Sequence, residues 1–325
     1  TQYTVPEDEG ASQNPLRDAY LVGNEYVRNN LMGNFYAEVK IPKLEGLSYR
    51  VNYSHNYRWI RNYKATKQDK YLDSNNTDAS KMKGNEWVLE NILKYSFSFK
   101  DHGFDVTLLF GANRETQDRT SIESTQLESD LFGWNKLELG ANYLPASYAS
   151  KVTGISSMAR LNYRLKNKYL FTFTVRRDGS SVFAENNKYA TFPSGAFAWV
   201  ISDEPFMKKI NFLNFLKLRT SYGVVGNQSI SPYQSLSLAS MNRYVYGDGG
   251  VSSIGIHPSN ISNKDLKWES TYSTNVALDF SLLKERISGT VEYYNLDTKD
   301  LLVERTLPIM GGYNSTWTNL GLVRN

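Results

Sequence analysis

The sequence predicts an all-β chain of about ten to eleven long antiparallel strands, of the kind that cross a membrane as part of a barrel. Three observations predict it. Segment after segment alternates apolar and polar residues. The connections between segments alternate between very short and very long. No apolar run approaches the ~18 residues that a spanning helix needs. The clearest segment is 158–166, where Ala159, Leu161, Tyr163 and Leu165 alternate with charged or amide side chains. Successive side chains on a strand point to opposite faces, so this segment has one greasy and one ionic face. Such strands, with short turns at one end and long loops at the other, are the weak signature of an outer-membrane β-barrel.

The elements follow in order. Residues 34–41 put Phe35, Ala37, Val39 and Ile41 on one face, and 47–57 do the same with Leu47, Tyr49, Val51 and Tyr53. The segment 87–99 ends on Leu93, Tyr95, Phe97 and Phe99 against Lys94, Ser96 and Ser98, and 104–113 presents Phe104, Val106, Leu108 and Phe110. Then come 155–166 and 169–177, the second with Tyr169, Phe171, Phe173 and Val175, followed by 196–201, 216–224, 275–282 and 287–295. The short connections are 40–46, 100–103, 166–168 and 283–286, with 202–215 a longer member of the same set. The long ones are roughly 1–30, 58–86, 117–152, 178–192, 226–266 and 298–316. Consecutive antiparallel strands place alternate connections on opposite sides, so the short turns share one side and the long loops the other. Phe99, Phe104, Tyr163 and Tyr169 flank the short turns, as an interfacial aromatic girdle would.

Composition sets the bounds. The 325 residues carry 37 basic and 33 acidic side chains, a net charge of +4 that is evenly dispersed and too weak for a nucleic-acid footprint. With no cysteine, disulfides and thiolate metal sites are excluded. Tyrosine is abundant, with 23 copies, and suits both β-sheets and membrane interfaces. The opening residues, from Thr1 to Glu9, have neither the basic start nor the apolar core of a signal peptide, so an exported protein would carry its leader upstream of this numbering. Periodicity alone leaves open a soluble sandwich, with the greasy face inward. The short/long alternation favours the barrel.

Several stretches resemble the SusC/RagA family of TonB-dependent outer-membrane transporters. They are Arg160-Leu161-Asn162-Tyr163 through Lys168-Tyr169-Leu170, then Arg176-Arg177-Asp178-Gly179-Ser180-Ser181-Val182-Phe183, Phe192-Pro193-Ser194 with Ala198-Trp199, and Glu204-Pro205-Phe206-Met207. Leu216-Lys217-Leu218-Arg219, Ser221-Tyr222-Gly223, Gly226-Asn227-Gln228, Leu266-Lys267-Trp268-Glu269 and Asn275-Val276-Ala277-Leu278-Asp279-Phe280 continue the series. Tyr293-Tyr294, Thr298-Lys299-Asp300-Leu301-Leu302 and Asn319-Leu320-Gly321 close it. The resemblance is strong over roughly 155–325 and one of texture before that. It implies a barrel of about 22 strands around an N-terminal plug. It also implies import of a glycan or peptide nutrient with energy from TonB, and a SusD-like surface lipoprotein as a lid. No plug or TonB-binding segment is legible in residues 1–325, and an eleventh strand starts near Thr316. The chain therefore reads as an internal part of one outer-membrane barrel domain belonging to a longer protein. A closed ten-stranded barrel, a passive porin and a secreted sugar-binding module are the alternatives.

No catalytic constellation is present. His55, His102 and His257 are isolated, and no paired carboxylates or Gly-x-Ser-x-Gly elbow occurs. Arg176-Arg177-Asp178-Gly179 reads as a turn, since Asp-Gly is turn chemistry, with the arginines pairing acids at the strand end. Phe192-Pro193 reads as a strand start, where proline's missing N–H is tolerated. Trp59, Trp134, Tyr244 and Tyr246 fall in the expected long loops, where they would stack on a sugar or pack on a lid protein. Lys94, Arg160, Arg164, Lys217, Arg219 and Glu292 fall on the ionic face and would meet a plug or tune permeation. No cofactor is expected. The oxygen-rich stretches Asp73-Ser74-Asn75-Asn76-Thr77-Asp78 and Gly247-Asp248-Gly249-Gly250 could hold Ca²⁺ but lack EF-hand spacing.

Overall fold

A computed structural model describes residues 19–68, 75–245, 250, 252–313 and 315–325. Its strands are β1 (Val22–Lys40), β2 (Leu47–Thr66), β3 (Asn76–Phe99), β4 (His102–Leu127), β5 (Gly140–Leu165), β6 (Tyr169–Ser180), β7 (Tyr189–Val200), β8 (Leu213–Asn227), β9 (Ala239–Val245), β10 (Ser252–Pro258), β11 (Glu269–Leu282), β12 (Ile287–Lys299), β13 (Leu302–Thr306), β14 (Ser315–Asn319) and β15 (Leu322–Arg324). One sheet of 11 strands runs in the order β1 to β8, then β11, β12 and β15, while β9 with β10 and β13 with β14 form two-stranded ribbons. All ten expected strands are present. The eleventh is β15, not a strand near Thr316: Thr316 lies in β14, opposite Arg305 of β13.

The sheet order ends at β1 and β15, and among the described residues these two strands are not paired with each other. The chain divides into two compact units: Thr1–Asn34, Ser54–Trp87 and Arg114–Lys151 in the first, and Phe35–Tyr53, Val88–Asn113 and Val152–Asn325 in the second.

In the second unit the register keeps the two faces separate across many strands. One row runs Tyr163, Phe171, Phe197, Thr220, Val276 and Tyr293. The adjacent row on the opposite face runs Arg164, Leu170, Ala198, Arg219, Ala277 and Glu292. A slip of one residue would exchange the faces, so the pattern itself fixes the pairing. The apolar face is bare: Phe110 is 54%, Phe173 55%, Val291 66% and Tyr293 69% exposed. A soluble sandwich would bury this face, whereas here it is exposed.

Aromatic rings form a band along the short-turn ends. Phe97, Phe104, Tyr163, Phe171 and Phe197 follow one another at centroid distances of 4.8, 4.9, 5.9 and 4.9 Å across five strands. His102 Nδ1 meets the Tyr163 hydroxyl at 2.8 Å, so this histidine belongs to the band. The β1–β2 turn depends on Gly46: its φ is +86°, and a Cβ there would stand 1.9 Å from the Ser96 carbonyl oxygen. The one compact core, among the described residues, is Val182, Phe183, Phe192 and Trp268 under the β6–β7 connection.

In the first unit the strands carry polar side chains on both faces. Arg58 Nη2 donates to Glu115 Oε1 at 3.1 Å and Thr116 Oγ1 to the Asn85 carbonyl at 3.3 Å. Stretches 58–86 and 117–152, expected as long loops, are therefore largely strand. A membrane crossing needs only about 9–11 strand residues. β4 and β5 have 26 each, and the surplus has no greasy face because neither side meets an apolar phase.

Candidate functional site

The polar face of the second unit is laced by cross-strand pairs. Arg219 forks onto Asp279 with Nε and Nη2 at 2.7 and 2.8 Å, and Thr290 Oγ1 donates to the same carboxylate at 3.0 Å. A bidentate guanidinium–carboxylate pair of this kind fixes both side chains in orientation. Arg164 pairs with Asp105 at 3.5 Å, Arg160 Nε donates to Thr174 Oγ1 at 3.1 Å, and Glu292 accepts from Asn275 Nδ2. Lys217 stands in register with Asp279, and Lys94 is exposed on β3. Arg160, Arg164, Lys217, Arg219 and Glu292 thus share one face, as alternation predicts, and of these Arg164 and Arg219 are held in ion pairs, with Asp105 and Asp279.

Above these pairs, at the long-loop end of β5 to β8, lies a cavity of about 490 Å³. Arg160, Thr174, Arg176, Asp178, Ser194 and Gln228 line it, with Phe192 and Trp268 among the apolar lining. Arg176 Nε donates to both Asp178 oxygens, at 2.9 and 2.7 Å. Arg176, Arg177, Asp178 and Gly179 therefore sit inside β6, not in a turn. Residues two apart on a strand share a face, and that spacing lets the arginine reach its own aspartate. Phe192 and Pro193 lie within β7, not at its start, and Pro193 faces Val175 one residue before the ladder to β8 begins at Ser194. Trp268 Nε1 donates to the Lys188 carbonyl at 3.2 Å and holds the β6–β7 connection down. Gly226 is obligatory beside this core, because a Cβ would stand 2.1 Å from the Phe192 ring.

The proposed loop aromatics separate. Trp59 is in β2, edge-to-face with Tyr57 at 4.2 Å, and not in a loop. Trp134 does lie between β4 and β5, stacked on Tyr63 at 6.0 Å, and it lines a cavity of about 270 Å³ with Lys67, Thr77 and Asp130. Tyr244 is in β9, opposite Ser253 of β10. Tyr246 lies outside the described residues, as do Asp73, Ser74 and 247–249. Asn75 is a buried structural side chain: its Nδ2 donates to the Leu127 carbonyl at 2.9 Å and its Oδ1 accepts from the Leu127 N–H at 2.6 Å. Among the described residues no group of three or more His, Asp or Glu side chains is placed to hold a metal.

One site went unread in the sequence although its motif stood out. Glu204, in the β7–β8 connection, accepts Tyr169 Oη at 2.7 Å and Trp199 Nε1 at 3.2 Å on Oε1, and Lys168 Nζ at 3.2 Å on Oε2. It ties two aromatics of the band to the turn. The Tyr169 hydroxyl, then the Trp199 N–H, hold the Glu204 carboxyl below the usual carboxylate range. Stability from this contact is fully present above the ordinary carboxylate pKa and lost as pH falls through the lowered one. Glu204→Gln is expected to lower the unfolding temperature at neutral pH and to flatten its decline in acid, as read by heat-shifted gel mobility across a pH series.

The family described as TonB dependent receptor-like, beta-barrel matches residues 3–325. The chain belongs to it. A TonB-dependent receptor of Formosa agariphila, P3, is 38% identical over 237 residues, which is 73% of this chain and 24% of that protein. The TonB-dependent receptor SusC of Bacteroides thetaiotaomicron is 32% identical over 329 residues, 96% of this chain and 31% of that protein. The structure of the RagAB peptide transporter superposes with a TM-score of 0.86 at 24% identity, covering 97% of this chain and 35% of that one. The chain thus spans about a third or less of these relatives. As a member of this family it is part of an outer-membrane β-barrel.

Proposed function

We propose that this chain is a wall of an active nutrient importer, and that its work is transport rather than catalysis. The observation that carries the reading is the continuous polar face opposite the lipid-facing one, held in register from β5 through β12. Its cross-strand ion pairs keep the lumen wall hydrophilic and stiff. In hydrocarbon each unpaired backbone group costs several kcal/mol, so the edges of β1 and β15 take partner strands from the rest of a larger barrel. The likeness to SusC and to the RagAB peptide transporter supports a glycan or peptide as cargo. It also supports a surface lipoprotein as lid, and TonB acting on a plug. Arg160, Arg164, Lys217 and Lys94 are the groups on this wall for the plug or the cargo to meet, while Arg219 is spent on Asp279. Trp134 and Tyr244 are candidates for cargo or lid contact.

Deleting the gene is expected to abolish uptake of the cargo while the surface lipoprotein still binds it. Normal uptake in the deletion strain contradicts the reading.

A further inference from the structure

We propose that the cavity at the long-loop end of β5 to β8 holds a carboxylate-bearing sugar unit of the cargo, and that Arg160 takes the carboxylate. This deepens the transport reading and rests on it, because it names what the cargo carries. The register puts two guanidinium side chains next to each other. Arg160 stands opposite Thr174 and Met158 opposite Arg176, so Arg160 and Arg176 are diagonal neighbours on the polar face. Diagonal neighbours stand about 7–8 Å apart, within reach of long side chains. The cavity lining carries three ionisable groups, these two arginines and Asp178. Asp178 is taken by Arg176, whose Nε donates to both its oxygens. Arg160 uses its Nε on the Thr174 hydroxyl at 3.1 Å. Among the described residues no carboxylate lies within ion-pair distance of it. A guanidinium with its Nη fork open, lining a concave site beside a second arginine, lacks one negative charge, and a carboxylate fits that fork.

The rest of the lining favours a sugar over a peptide. Asn113, Ser156, Ser194 and Gln228 bring hydroxyl and amide groups to the cavity, and among the described residues none of these four side chains is held in a hydrogen bond. Met158, Val224, Phe192 and Trp268 add apolar area for the C–H face of a pyranose ring. The volume of about 490 Å³ is in the range of small-ligand sites. An extended peptide is held largely by main-chain hydrogen bonds to an open strand edge. No such edge is offered here, because β5, β6, β7 and β8 each have a partner on both sides in the sheet order. Neutral hydrogen-bonding groups around one open cation match a ring that carries several hydroxyls and a single carboxylate.

The test is calorimetric titration of the full-length protein, purified in mild detergent, with trimers of galacturonic, glucuronic, mannuronic and guluronic acid. At least one acidic trimer is expected to bind, and its carboxyl-reduced, neutral counterpart to bind about tenfold more weakly. Arg160→Gln is expected to lose about tenfold in affinity for the acidic trimer. Lys209→Gln, which removes an exposed lysine at the short-turn end, is expected to match the wild type. No binding by any acidic trimer overturns the proposal, and so does equal affinity in R160Q and wild type. Equal binding of the neutral trimer overturns it as well. So does tighter binding of a tri-glutamate peptide with the same dependence on Arg160, which would make the ligand a peptide. If R160Q fails to insert, Ser194→Glu, which puts a carboxylate at an exposed position of the cavity wall, is expected to weaken binding by a similar factor. Unchanged affinity there also overturns the proposal. Uptake separates this site from the transport reading. Trimer binding with normal uptake in the deletion strain keeps the site and contradicts transport, whereas uptake lost on deletion with no trimer bound keeps transport and overturns the site.

Discussion

Phe173→Arg is expected to cost about 2–4 kcal/mol of barrel stability, because it puts a charge on the lipid face. Phe173 is 55% exposed and lies opposite Leu161 of β5 and Gly195 of β7, midway between the aromatic band and Arg177. In water, a charge at so open a position would change stability by no more than about 0.5 kcal/mol. The large cost arises only if hydrocarbon is the solvent there. Thr172→Arg, one residue earlier on the polar face, is expected to cost far less. Urea unfolding in lipid bilayers measures both, and similar costs at the two positions would contradict the assignment of faces.

Phe183→Ala is expected to cost about 3–5 kcal/mol, the range for emptying a buried phenyl site. The ring is 1% exposed, 4.7 Å from Trp268, and packed with Val182 and Phe192. Its neighbours are anchored by the Trp268–Lys188 bond and by the Phe192–Gly226 contact, so the hole collapses only in part. Phe183→Leu keeps most of the volume and is expected to cost under about 1.5 kcal/mol. Hydrogen exchange across 180–190 reads the effect locally, and unchanged protection in Phe183→Ala would show that the core does not hold this connection.

The strands that cross the membrane were legible because their two faces meet different solvents. Leu161, Phe173 and Val276 against Asn162, Thr172 and Asn275 is a contrast that a period of two reveals directly. That contrast fades where both faces are wet. Trp59 read as a loop residue for this reason, although β2 runs on through it to Thr66. The same cause hid the ends of β3, β4 and β5. The Asp178-Gly179 pair misled in another way. Its composition says turn, but cross-strand bonds to β5 and β7 on both sides outweigh a dipeptide preference. The Thr316 strand was real but belongs to a ribbon with β13, and pairing partners are invisible to a local pattern. Glu204 shows what alternation cannot supply: its role depends on a connection folding back onto Tyr169 and Trp199, and only the fold brings those together.

The central claim is that one face of these strands touches lipid and the other water. The chain has no cysteine, so single cysteines can be placed from position 158 through 165 of β5 without background from this segment. Spin labels at those positions in the membrane-inserted protein report collision with oxygen, which concentrates in lipid, and with a polar nickel chelate, which stays in water. The account predicts strict alternation, with positions 159, 161, 163 and 165 favouring oxygen and 158, 160, 162 and 164 favouring the chelate. Equal accessibility along the strand, or the opposite phase, would contradict it.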